Sequence, residues 1–179
     1  MDDSGPILRF YRLEDTDSEG RTLTEIWTWN HVQLERTHDY IQWLFPLRRR
    51  SSFNWAAPVL TEETVKAFLD DSELRERFKR SFRLMLNFYG LALVEPPDGP
   101  VSIMTGPEFA VRSRQWLRAD DHNHLRLSRI LASMHLLGFA AYSRALFQCL
   151  DGISAQNPGC VTDETLGYWR RAGSDRQDG

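Results

Sequence analysis

The stretch ELRERFKRSFRLMLNFYG, residues 73–90, carries the clearest helical pattern of the chain. Its apolar side chains recur every three or four positions, so they share one face of a helix. These positions are Leu74, Phe78, Phe82, Met85 and Tyr89. Ser72 is placed to cap the first turn, and Gly90 is placed to end the helix in a left-handed conformation. We therefore expect a long amphipathic helix here.

Helix caps divide the rest of the chain into further helical segments. Thr22 and Glu25 have the spacing of a capping box. Thr61 and Thr162 each precede acidic residues, which are favoured in the first turn of a helix. Another helix is expected over residues 37–45, ending before a proline, because proline disfavours helical geometry in the residue that precedes it. No segment alternates between apolar and polar residues as a strand does.

These segments predict an all-α fold. We expect a single irregular helical domain of about seven to eight helices over residues 1–172. Residues 95–107 contain four prolines and two glycines, which indicates a long surface loop. The polar tail, residues 173–179, is expected to be disordered.

Composition restricts the classes of function. The chain has 179 residues and a formal net charge of −3, which gives it no global attraction for nucleic acid or an anionic membrane. No run approaches the ~20 apolar residues of a transmembrane segment, and no signal peptide is visible. The two cysteines, Cys149 and Cys160, lack the spacing of paired metal ligands. We expect a cytoplasmic protein without a disulfide framework.

Four stretches resemble the conserved N-terminal domain of the opioid growth factor receptor family. They are THDYIQWLFPL (37–47), FNWAAPVLT (53–61), SFRLMLNFYG (81–90) and HNHLRLSRILASMHLLGF (122–139). Their order and spacing also resemble those of the family, and the resemblance covers roughly residues 7–170. The first of the four is long and aromatic, which makes the resemblance specific.

The resemblance implies a compact, stand-alone member of that family, of its microbial branch. The animal receptor is described as a receptor for an enkephalin peptide, associated with the nucleus and its outer membrane. For this chain the resemblance implies a ligand- or protein-binding module, with peptide binding as one form of it. The family has no established catalytic residue, so the resemblance implies none here.

The segment HDYIQWLFPL, residues 38–47, combines a core pattern with polar groups. On a helix, four of its apolar positions share a broad face. These positions are Tyr40, Ile41, Leu44 and Phe45. The remaining side chains are candidates for the rim of a ligand-binding site: His38, Asp39, Gln42 and Trp43. The alternative interpretation is a core helix with an acid in its first turn and a proline stop, and it is favoured.

A second candidate group lies in residues 122–137. Arg126 and Arg129 are one helical turn apart and share a face, which Asn123 extends by another turn. Two guanidinium groups at this spacing could hold a carboxylate or a phosphate by forked hydrogen bonds. The alternative interpretation is a solvated face or a structural ion pair.

Two hypotheses of function follow from these groups. In the first, the chain binds a small ligand, a peptide or a protein without transforming it. The alternative is a small enzyme with a polar helical pocket formed by the 37–45 and 122–137 helices, in which His38, Asp39 and Arg126 form the polar site. Independently of these two hypotheses, we expect His38 and Asp39 to face Arg126 and Arg129, because a partly buried acid near a helix start needs a cation. No HExxH, paired-cysteine or Gly-rich phosphate-binding motif is present in the sequence. We therefore expect no cofactor and no metal site, and we assign no catalytic residue.

One further segment mixes basic and aromatic residues. Arg48, Arg49 and Arg50 are followed closely by Phe53 and Trp55. Such a mixture can bind single-stranded nucleic acid by stacking. Because the whole chain is acidic, we favour a solvated loop and expect no strong affinity for nucleic acid.

Overall fold

The structure is a computed structural model, and it describes residues 5–52 and 54–173. The chain divides into two compact units, Met1–Leu84 and Met85–Gly179. Both units contain fully buried apolar side chains. The expected single domain over residues 1–172 stays a prediction.

Ten helices and two strands are found in the described residues. Those of the first unit are α1 (Pro6–Tyr11), α2 (Leu23–Ile26), α3 (His31–Arg36), α4 (Ile41–Leu44) and α5 (Glu62–Asp70). Helix α6 (Ser72–Tyr89) begins in the first unit and ends in the second. The second unit continues with β1 (Leu91–Val94), β2 (Ser102–Thr105), α7 (Phe109–Trp116), α8 (Asn123–Leu136), α9 (Ala140–Gln156) and α10 (Asp163–Ala172).

Side-chain caps start the helices of the first unit. The caps expected at Thr22 and Thr61 are confirmed, because each hydroxyl accepts a backbone N–H of the following turn. Asn30 and Gln33 form a reciprocal capping box at the start of α3. Helix α3 therefore begins at His31 as a separate helix, and α2 is only four residues long.

The helix expected over residues 37–45 is reduced to one turn, so its predicted start is wrong. The backbone of Thr37 is extended (φ −93°, ψ 130°), and helical geometry resumes only after Tyr40. The Tyr40 hydroxyl donates a hydrogen bond to the carbonyl oxygen of Leu34 at 3.1 Å. The expected core positions are nevertheless buried: Tyr40, Ile41, Leu44 and Phe45.

Tyr11 joins four helices in the core of the first unit. Its buried hydroxyl donates to the carbonyl oxygen of Leu44 at 2.7 Å. Its ring packs edge-on against Phe68 and Phe78, with ring centroids 5.1 and 5.9 Å away. Burial raises the pKa of the Tyr11 hydroxyl above its ordinary value. The hydroxyl therefore stays protonated and can serve as the donor that a buried tyrosine needs.

The long helix α6 follows the predicted stripe. All five expected positions are buried: Leu74, Phe78, Phe82, Met85 and Tyr89. The cap is one residue earlier than predicted, because Asp71 Oδ1 accepts the backbone N–H groups of Glu73 and Leu74 at 2.9 and 3.2 Å. Gly90 ends the helix with φ +78°, as expected.

A short hairpin follows α6, so the expectation of a purely helical fold is wrong. β1 and β2 pair in antiparallel fashion, with Leu91 opposite Thr105 and Val94 opposite Ser102. Each strand has only four residues, which is too short for an alternating pattern to stand out. The mostly helical character is confirmed, whereas the expected seven to eight helices are too few for the described residues.

Helix α8 packs against α9 and α10 in the second unit. The Ser143 hydroxyl donates to the carbonyl oxygen of Leu131 at 2.8 Å, and Trp169 Nε1 donates to that of His124 at 3.1 Å. Gly138 follows α8 with φ +81°. The Trp169 contact holds the first turn of α8. The same helix carries three candidate site residues: Asn123, Arg126 and Arg129.

Gly173 ends α10 as its C-terminal cap. The rest of the expected disordered tail, residues 174–179, lies outside the described residues. In the part of the chain that the structure describes, no helix has both the length and the apolar character needed to cross a membrane.

Candidate functional site

His38 and Asp39 lie in the connection between α3 and α4, not in a helix. Asp39 Oδ1 accepts a hydrogen bond from Arg21 Nη2 at 2.8 Å. Arg21 Nε donates in turn to Asp17 Oδ2 at 2.7 Å, and the Asp17 side chain is fully buried. Burial opposes the charge of Arg21, but its hydrogen bonds to Asp39 and Asp17 raise its pKa overall. Asp39 is thus held by a cation of its own unit.

Gln42 and Trp43 are more deeply placed than expected. Both are buried rather than at the edge of the helix. With its amide nitrogen turned towards the backbone, Gln42 donates to the carbonyl oxygens of Asp39 and His38 at 3.0 and 3.3 Å. Gln42 therefore fixes the segment that carries His38 and Asp39.

The indole of Trp43 packs against Phe10, with ring centroids 5.3 Å apart. Trp43 is only 5% exposed. Among the described residues, no acceptor lies within hydrogen-bonding distance of its buried Nε1. Buried N–H groups in proteins nearly always have an acceptor, so this donor requires an explanation.

Asp121 organises the polar residues at the start of α8. Its Oδ1 accepts the backbone N–H of Asn123 at 2.9 Å and the side-chain Nδ2 of Asn123 at 3.0 Å. Arg118 Nε donates to Asp121 Oδ2 at 2.9 Å. Burial disfavours the Asp121 carboxylate, but the hydrogen bonds from Asn123 and Arg118 outweigh burial and lower its pKa. Asp121 thus acts as the capping carboxylate of α8.

Asn123 extends this arrangement to the first of the two arginines. Arg126 Nη1 donates to Asn123 Oδ1 at 3.3 Å, and both residues are buried. The expectation that Asn123 and Arg126 share a face is therefore confirmed. Arg129 lies one turn further along and is partly exposed. Burial lowers the pKa of Arg129 to about 10, so its guanidinium still carries its charge near neutral pH.

His124 is buried among aromatic side chains on the other side of α8. Its Nε2 lies 2.9 Å from the carbonyl oxygen of Trp116. Its ring meets Trp169 edge-on, with centroids 5.4 Å apart. Burial lowers the pKa of His124. Its role is therefore to pack and orient α8.

The sequence interpretation missed several residues that position the candidate groups. They are Asp17, Arg21 and Asp121. The spacing of Asp121 before Asn123 is typical of a cap and could have been used. Nothing in the sequence links Arg21 with Asp39, because they are eighteen positions apart, with α2 and α3 between them, and no shared helical face connects them. The predicted pairing of Asp39 with Arg126 and Arg129 joins residues of different units and stays a prediction.

A metal centre would need several suitable side chains in one place. Over residues 5–52 and 54–173, no three His, Cys, Asp or Glu side chains are grouped so that they could hold a metal ion.

Comparison with known proteins identifies the family. The model of the opioid growth factor receptor (OGFr) conserved region matches residues 7–178. The chain belongs to the opioid growth factor receptor family. Among relatives, the opioid growth factor receptor of Rattus norvegicus is 42% identical over 143 residues, which cover 78% of this chain and 24% of that protein. The receptor of Homo sapiens is 38% identical over 145 residues, which cover 79% of this chain and 21% of that protein.

The same opioid growth factor receptor region occurs in a second group of relatives. The opioid growth factor receptor-like protein 1 of Rattus norvegicus is 32% identical over 143 residues, or 78% of this chain and 30% of that protein. This chain therefore spans less than a third of the length of these relatives. No solved structure matches it. The resemblance inferred from the four sequence stretches is confirmed.

Proposed function

We propose that this chain is a ligand- or protein-binding module that transforms nothing it binds. Several of its relatives are named receptors, and the part of those proteins that it shares is the conserved region of the family. Because a receptor binds a ligand, we assign ligand binding to the region that this chain shares with those receptors. The proposal assigns ligand contacts to the candidate residues of each unit separately.

The observation that carries the proposal is the buried indole N–H of Trp43. A buried donor without an acceptor costs about 1–3 kcal/mol, and Trp43 Nε1 meets no acceptor among the described residues. Because this nitrogen is buried, we propose that the side chains covering it move aside when a ligand binds. A ligand acceptor that then reaches the nitrogen recovers this free energy, which makes binding more favourable. A peptide carbonyl oxygen is an acceptor of this kind. We propose His38, Asp39 and Gln42 as the polar neighbours that help to orient such a ligand.

Arg126 and Arg129 supply the proposed contacts of the second unit. The chain of hydrogen bonds from Asp121 through Asn123 holds Arg126 in place. A fixed guanidinium binds a carboxylate with little loss of side-chain entropy. Arg129 is partly exposed, so we propose that its guanidinium meets an incoming anion at the surface of the second unit. We therefore propose that a ligand of the second unit carries a carboxylate, as a peptide does at its C-terminus.

Titration calorimetry with an enkephalin peptide tests the first contact. The variant Trp43→Phe keeps an aromatic ring and removes the N–H donor together with part of the ring volume, and the matched control below also loses that volume. We expect its affinity to be about tenfold lower, since one hydrogen bond of about 1.4 kcal/mol is lost. The matched control is Trp27→Phe, because Trp27 Nε1 already donates to Ser81 Oγ at 3.0 Å. The control should keep its affinity. Equal affinity of wild type and Trp43→Phe, or no heat for the wild type, contradicts the proposal.

Amidation of the peptide C-terminus tests the second contact. The amide lacks the carboxylate, so the wild type should bind it more weakly than the acid by about tenfold. In Arg129→Gln, acid and amide should bind with nearly the same affinity. Arg114→Gln is the control, because Arg114 is an exposed arginine of α7. A wild type that binds acid and amide equally well excludes the carboxylate contact.

A further inference from the structure

The loop between α4 and α5 presents basic side chains and one indole to solvent in its described residues. We call residues 47–52 and 54–60 the basic loop. Arg48, Arg49 and Arg50 are all exposed. Trp55 is 73% exposed, more than any other large apolar side chain of the described residues. None of these four residues belongs to the proposed ligand contacts.

The basic loop is fixed to the first unit at several points. The backbone N–H of Leu60 donates to the carbonyl oxygen of Leu47 at 2.9 Å and closes the base of the loop. Asn54 Nδ2 donates to the carbonyl oxygen of Asp39 at 3.2 Å. Leu60 and Ala57 are buried. Trp55 therefore projects from an anchored segment, and less conformational entropy is lost when a partner covers it.

The charge of the basic loop is only partly compensated. Arg48 is paired with Glu62 at the start of α5. Arg50 Nη1 donates to the backbone carbonyl oxygen of Trp55 at 3.4 Å, which holds this guanidinium near Trp55 without neutralising its charge. No ion pair of Arg49 or Arg50 is found in the described parts of the chain. Arg50 thus lies beside the exposed residue Trp55, and Arg49 precedes Arg50 in the chain and is also exposed.

We propose that the basic loop is a docking surface for an acidic, apolar-containing peptide segment of another protein. Tryptophan and arginine are the residue types that contribute most to protein–protein binding. The forked donors of Arg49 and Arg50 fit carboxylates, and the Trp55 indole offers an apolar face for a neighbouring leucine or phenylalanine. The chemistry of the loop therefore matches a segment in which acids alternate with apolar residues.

A single-stranded nucleic acid fits these observations less well. Proteins that bind nucleic acid through its backbone neutralise several phosphates, commonly about six to ten. The basic loop offers two uncompensated arginines, and the whole chain carries a net charge of −3. The repulsion between this net charge and a phosphate backbone favours a short acidic peptide over a polyanion.

Fluorescence anisotropy with a labelled peptide of alternating glutamate and leucine tests the proposal. The wild type should bind this probe at least about tenfold more tightly than a peptide of alternating glutamine and leucine, and added salt should weaken the binding. Both Trp55→Ala and the double variant Arg49→Gln/Arg50→Gln should bind the acidic peptide about tenfold more weakly than the wild type. Because all three side chains are exposed, their thermal unfolding midpoints should stay unchanged.

Two controls distinguish binding at the basic loop from nonspecific effects of the total charge or of exposed apolar side chains elsewhere. Arg114→Gln/Arg144→Gln removes the same charge from exposed positions of α7 and α9, and Leu69→Ala shortens another exposed apolar side chain. Both controls should bind like the wild type. No binding of the acidic peptide, or equal loss in the controls, overturns the proposal. Tighter binding of a labelled oligothymidine than of the peptide also overturns it, because the partner would then be a nucleic acid.

Discussion

His124 shows how a single titratable residue links the packing of α8 to pH. Its ring is buried between the carbonyl oxygen of Trp116 and the ring of Trp169. Burial lowers its pKa in the folded state, although the nearby acids Asp120 and Asp121 oppose the shift. The folded protein therefore favours the neutral imidazole. Protonation must favour the unfolded chain, in which the histidine pKa is about 6.5.

We predict that the free energy of unfolding decreases as the pH falls from about 7 to about 5.5. The stabilising contribution of neutral His124 is fully present above the unfolded pKa of about 6.5 and is lost as pH falls towards the lower folded pKa. Urea unfolding at several pH values measures the change. His124→Gln, which can still donate to the Trp116 carbonyl, should show a smaller dependence on pH. The same slope in wild type and variant would rule out His124 as the cause.

Residue contacts could be predicted from the sequence only where they are local. Asn123 and Arg126 are one turn apart on a helix, and their predicted shared face is confirmed by a hydrogen bond. Arg21 and Asp39 both lie outside helices and are brought together by the folding of the chain. No periodic sequence pattern therefore predicts their hydrogen bond. The missing acceptor of the Trp43 indole N–H could not be predicted either. A helical pattern indicates which positions are buried, but it gives no information about their hydrogen bonds.

At the scale of elements, caps were predicted more reliably than lengths. Thr22, Thr61 and Thr162 start helices as expected, because an N-terminal cap is a local interaction. The start of α4 was wrong, since the extended backbone of Thr37 depends on the packing of its neighbours. The hairpin was missed because its stability comes from pairing between strands and not from composition.

Gly90 connects α6 to the hairpin and provides a test at this scale. Its φ of +78° is a left-handed conformation, and an added Cβ would lie 2.8 Å from the Cα of Phe109 and 2.9 Å from the Cβ of Arg112. We predict that Gly90→Ala lowers the free energy of unfolding by about 2–4 kcal/mol, from strained backbone and overpacking together. Chemical denaturation measures the loss.

The matched control is Gly159→Ala. Gly159 has φ +84°, and no heavy atom lies within 4 Å of an added Cβ. This variant should lose only the conformational part, about 1–2 kcal/mol. Losses of the same size in both variants would show that the close approach of α7 to Gly90 contributes nothing.

At the scale of the whole molecule, the family was recognisable from four stretches of sequence. The matched family model covers residues 7–178, which is slightly more than the resemblance predicted. A mostly helical fold could also be predicted, because long helices such as α6 carry their own periodic pattern. The natural ligand could not, since the chain spans about a fifth to a quarter of the receptors that it resembles and their names specify no contact residue.

The central claim is that Trp43 contributes its indole N–H to a ligand, and NMR of the indole protons tests it most directly. The chain has six tryptophans, and Trp43→Phe assigns the resonance of Trp43 by its disappearance. On titration with an enkephalin peptide, we predict that the Trp43 Nε1 proton moves downfield as it gains an acceptor, whereas that of Trp27, already bonded to Ser81, stays in place. An unmoved Trp43 resonance at saturating peptide would contradict the account.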